Sequence, residues 1–224
     1  MNKYLQLILD WAEVWPLLLP LVILLFIPLR QKYLKPVALY VPVAFVINLL
    51  GDLIADYHKE LHFPSWLSYN TPLYNIHSVI RFACFSYFFI AIHQSHFNTL
   101  KKILPVVSLV FILINFGFFE NFFDPEHISG NLLTAEAYLL LIYCMLYYLS
   151  ELRNENDVVS HGADFWITTG LSIYVVVNFF VFLFYNPMVE QNLNLADKIW
   201  DVHNIAYIIF CFFIAKAFYV PASN

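Results

Sequence analysis

The stretch YNIHSVIR, Tyr74 to Arg81, sets a histidine and an arginine one helical turn apart in an otherwise apolar run. On a helix, Tyr74, His77 and Arg81 share a face. In hydrocarbon a charged side chain costs at least about 2.5–3.5 kcal/mol, so it turns to the interior and pairs. Arg81 therefore calls for a carboxylate, and Asp52, Glu136 and Asp201 are the candidates. Other polar residues recur at helical spacing. Asn48, Asp52 and Asp56 repeat every four residues; Trp200, His203, Asn204 and Tyr207 follow i, i+3, i+4, i+7. Tyr174 lies four residues before Asn178, and Glu136 aligns with Tyr143 and Tyr147.

These residue types fit two kinds of chemistry. A fixed guanidinium beside two histidines suits a polar or anionic solute, with the histidines able to change charge near neutral pH. His77, His203 and a carboxylate, Asp52 or Glu136, are also acceptable zinc ligands, and a zinc-bound water could attack an ester or amide. A guanidinium close by repels a dication, so the expectation is a metal-free, cofactor-free site. It comprises Asp52, His77, Arg81, Glu136, Asn178, His203 and Asn204. The alternative is a membrane hydrolase that uses His77, His203, Asp52 and Glu136 on a metal.

Simpler roles stand beside each of these. A buried Asn or Tyr serves as hydrogen-bonding glue between helices, and Arg81 with an acid can be a structural ion pair. HKELH, residues 58 to 62, has histidines four apart but precedes Pro64 and reads as a loop. His93, His96, His127 and His161 lie at or near breaks. Cys84, Cys144 and Cys211 sit in apolar runs as small hydrophobes. Lys216 has no carboxylate at its own depth and reads as a snorkelling side chain.

The elements that position these residues follow from composition. Of 224 residues, 61% are hydrophobic and 12% charged, which makes this a membrane protein. Scattered glycines and the absence of a basic tract argue against nucleotide and nucleic-acid binding. Crossing hydrocarbon takes about 20 apolar residues. The sequence predicts seven such spans in one all-α bundle, at about 12–29, 37–57, 71–93, 102–120, 131–150, 164–185 and 199–219. MNKYLQLILDWAEVWP reads as an amphipathic lead-in or as the outer end of the first helix, and lacks the pattern of a cleavable leader.

Orientation is read from Lys and Arg in short loops. Arg30, Lys32, Lys35, Lys101, Lys102, Arg153 and Lys216 fall on one side, against Lys3, Lys59 and Lys198 on the other. The N-terminus is thus expected outside and the C-terminus in the cytoplasm of a cell that inserts it in its inner membrane. At about 1.5 Å per residue, Asp52, His77, Glu136 and His203 then lie roughly 8–9 Å below the outer boundary and Arg81 roughly 15 Å.

NTPLYNIHSVIRF, FWITTGLSIY and WDVHNIAYIIFCFFIAKAF together resemble small uncharacterised bacterial seven-helix membrane proteins, and more loosely the seven-helix sensor modules of bacterial signalling proteins. A weaker similarity, through KP at 35–36 and LLGDL at 49–53, is to lysoplasmalogenase-like membrane enzymes. The first resemblance implies a sensory inner-membrane bundle and transfers no catalytic residue. A sensing role would pass a helix shift to a separate cytoplasmic partner.

Overall fold

A computed structural model describes residues 3–29, 31–61, 69–92, 94, 96–124, 127–153 and 162–220. Eight α-helices occupy them: α1 Lys3–Asp10, α2 Leu18–Phe26, α3 Lys35–Leu61, α4 Thr71–Ala91, α5 Asn98–Phe118, α6 Gly130–Arg153, α7 Ala163–Gln191 and α8 Leu193–Tyr219. Six of them, α3 to α8, are long and apolar enough to cross a membrane. They give the chain the character of a multi-pass helical membrane protein. Arg30, His62, His93, Glu155, Asp157 and His161 lie outside the described residues, as do the side chains of Lys3, His58 and Lys59. The HKELH segment therefore has no described histidine.

The expected first span is shorter than predicted. Its helical part is Trp15–Phe26, a 3₁₀ turn leading into α2. Turns over residues 11–14 separate it from α1. Its far end stops where Ile27 turns extended (φ −117°, ψ 115°), the conformation that the following Pro28 favours. At about 1.5 Å per residue, twelve residues rise only about 18 Å.

The last connection also differs. A break over Asn186–Lys198 is expected, yet α7 continues through Pro187 to Gln191 and only Asn192 separates it from α8. Asn192 is extended, and its side chain accepts the Leu195 backbone N–H at 3.3 Å, a capping bond that starts α8 at once. His203 consequently sits ten residues past the start of its helix.

Helix α7 packs most extensively against α8, and α6 against α7, while α4 bridges α3 and α6. Close approach of α7 to α8 depends on Gly170: a methyl there would fall on the Cβ of Phe213 and 2.9 Å from its Cγ. Two apolar clusters result. The larger runs from Leu34 and Val37 through Phe85, Phe89 and Tyr143 to Phe210 and Ile214; the smaller holds Leu133, Val181 and Phe182. Between them lies a polar layer.

Candidate functional site

Helix α4 supplies the centre of that layer. Burial of its polar face puts Ser78 and Arg81 opposite Glu136 of α6. Arg81 Nε donates to Glu136 Oε1 at 2.5 Å and Nη2 donates to Oε2 at 2.7 Å, a two-pronged pair. Ser78 Oγ donates to the same Oε2 at 2.6 Å, and Arg81 Nη1 donates to Tyr174 Oη on α7 at 2.7 Å. Both charges are about 95% removed from solvent. At that burial the pair survives because three donors serve the carboxylate and the guanidinium is held by two helices.

A second unit forms around His203. Asn178 Nδ2 donates to the Tyr174 carbonyl at 2.8 Å, which turns its Oδ1 towards His203 Nδ1 at 2.5 Å. The oxygen can only accept, so Nδ1 carries a proton. On the other side His203 Nε2 stands 3.2 Å from Glu13 Oε1. A bare nitrogen facing a carboxylate oxygen would be two acceptors without a donor. A proton on either group closes this contact as a hydrogen bond. His77 makes a third unit, sharing a 3.1 Å hydrogen bond between its Nε2 and Tyr40 Oη on α3.

Glu13 closes the layer from above and was not among the residues the sequence singled out for the site. It is buried in the turn before Trp15 and comes from a segment 190 residues away from His203. Polar side chains pin that segment: Asn48 Nδ2 donates to the Glu13 carbonyl at 2.8 Å, and Asn204 Nδ2 donates to the Leu9 carbonyl at 2.9 Å. Asn48 Nδ2 also reaches Tyr207 Oη at 3.2 Å. A lone acid between Ala12 and Val14 was the available signal. Tyr40, in the run VALYVPV, offered none beyond its hydroxyl.

The expected residues thus divide. His77, Arg81, Glu136, Asn178 and His203 converge, with Arg81 on Glu136 and not on Asp52. Asn204 serves the N-terminal segment, and its Oδ1 is buried without a hydrogen-bond partner. Asp52 stands apart, with Oδ2 buried and unpartnered, and its interacting charges are the acids Glu13, Asp56 and Asp10. Asp201 is partly exposed. Among the described residues no group of three His, Cys, Asp or Glu is placed to hold a metal ion. The cysteines are free thiols. Lys216 is exposed, its Nζ 5.6 Å from the centre of the Trp166 ring.

Glu13, Tyr74, His77, Arg81, Trp200 and His203 face one small cavity, closed further by Leu133, Phe182 and Tyr207. It has about 10 Å³ for the centre of a water-sized sphere, which is room for about one water. The Glu13 turn and the Trp200 ring are part of its wall. The Trp200 ring centre lies 4.8 Å from that of His203, the two planes tilted by 31°, and Trp200 meets Tyr74 edge-on at 5.8 Å.

Comparison with family models, curated proteins and solved structures finds no match, and the residues themselves carry what can be said of function.

Proposed function

We propose that the chain is a receptor-like inner-membrane protein that binds a small polar solute in this buried layer and signals to a separate cytoplasmic partner. In this reading seven segments cross, Trp15–Phe26 being the short one, with the N-terminus outside. The observation that carries it is the convergence of ionisable groups from the Glu13 turn, α4 and α8 on one water-sized cavity. A structural ion pair needs only Arg81 and Glu136; it does not need two histidines, Glu13 and a void beside them.

Charge selects the solute. Glu136 already takes up Arg81 and Glu13 faces His203, so a neutral hydrogen-bonding solute fits better than the anion that Arg81 alone suggested. Binding requires the roof to move. The part proposed to move is the N-terminal segment: Leu9, Ala12 and Val14 are buried and Asn48, His203 and Asn204 bond it, but α1 leaves Tyr4, Leu7 and Ile8 exposed. Its displacement would free His203 and shift α8 against α7, a change that reaches the cytoplasmic end as a helix movement.

A thermal-shift screen of small polar compounds on purified protein tests this. At a hundredfold excess over its Kd a ligand adds about 2.7 kcal/mol, or roughly 5–10 °C for a chain of this size. The expected result is a compound that gives this shift in wild type and none in Asn178→Leu or His203→Leu. Shifts that persist in both variants would contradict the site, as would one equivalent of metal lost in His77→Ala or His203→Ala.

A further inference from the structure

A larger cavity lies elsewhere, on the outer flank of the bundle. It is an open groove of about 620 Å³ between α5, α6 and α7. Its walls are graded. At one end stand Asn115, Glu120, Asn131 and Asn186; along the helices from there the lining becomes Phe111, Tyr138 and Phe179. Phe182 separates it from the buried layer, lining both spaces.

The polar end is built around Glu120. Asn115 Nδ2 donates to its Oε2 at 2.7 Å, and the Asn131 backbone N–H donates to its Oε1 at 2.8 Å. Asn131 Nδ2 in turn donates to Asn115 Oδ1 at 3.3 Å. These bonds fix the carboxylate just past the end of α5 and leave each oxygen with a lone pair. Among the described residues Glu120 has no basic partner. Helix α5 carries much exposed apolar surface, including Leu109, Val110, Leu113 and Ile114, so the groove opens sideways among acyl chains.

We propose that this groove is a binding site for a phospholipid whose headgroup ends in an ammonium, with the ammonium on Glu120 and one acyl chain along Phe111, Tyr138 and Phe179. Charge complementarity selects the occupant: a fixed, unneutralised carboxylate at the polar end favours an ammonium and repels a lipid whose only charge is phosphate. The asparagine carbonyl oxygens add acceptors, and the volume falls within the usual range for ligand pockets. This site stands apart from the solute layer and does not depend on it.

The test is native mass spectrometry of protein extracted from bilayers of equal phosphatidylethanolamine and phosphatidylglycerol. The expected result is one retained phosphatidylethanolamine in preference to phosphatidylglycerol, the preference falling about tenfold in Glu120→Gln, as loss of one charge-assisted hydrogen bond implies. Ala135→Leu, which fills the groove wall, should remove the retained lipid of either kind, and it keeps the proposal testable if Glu120→Gln folds poorly. Equal retention of both lipids by wild type would overturn it, as would undiminished retention in Ala135→Leu. A dimer that Ala135→Leu dissolves would overturn it too, assigning the groove to a second copy of the chain.

Discussion

Arg81 was legible from cost alone: a guanidinium among apolar residues on a membrane helix demands a carboxylate, and Glu136 supplies it through both oxygens. The choice of Glu136 over Asp52 was not legible, because helical spacing gives a face and a depth but not which helices are neighbours. The pair predicts a specific coupling. Arg81→Leu leaves Glu136 buried with only Ser78 as donor, which should lower stability in detergent by about 3–5 kcal/mol. Arg81→Leu with Glu136→Leu should recover a large part of that loss. Strictly additive effects in the double-mutant cycle would contradict the pairing. Glu13 and Tyr40 escaped the sequence for the opposite reason. Each is a single polar residue whose partner, His203 or His77, belongs to a distant helix, and no local spacing encodes a contact across 190 or 37 residues.

At the level of elements, six long spans were readable because length and apolarity are local properties, and their boundaries moved by only a few residues at most ends. The first and the last connection were misjudged on backbone detail. Pro28 cuts α2 short, while α7 runs on for four residues past Pro187 and gives up only the backbone bond that position would have made to the Leu183 carbonyl. How tightly α7 and α8 pack could not be read from FWITTGLSIY, although the glycine that permits it is there. Gly170→Ala should destabilise by about 1–3 kcal/mol, because the methyl must push Phe213 or part the two helices. Gly117, near the exposed end of α5, is the control: a methyl there meets nothing within 4 Å, and Gly117→Ala should stabilise by up to about 1 kcal/mol through helix propensity. Thermal melts of the two variants should therefore move in opposite directions. Equal losses would mean that Gly170 matters only as backbone.

For the whole molecule, the proposed function requires the polar layer to be an outward-facing site whose roof is the N-terminal segment. Both parts meet at position 13, which faces the cavity and, in the orientation proposed from the basic loops, lies on the outer side. The most direct test is a chain with Cys84, Cys144 and Cys211 replaced by alanine and the single substitution Glu13→Cys, which also releases His203 and loosens the roof. It is labelled with a membrane-impermeant maleimide in spheroplasts and, separately, in inverted vesicles. The account predicts labelling in spheroplasts and little in inverted vesicles. Labelling only from the inverted side would turn the bundle over, and no labelling from either side would mean that the layer is sealed and holds the helices together without receiving a solute.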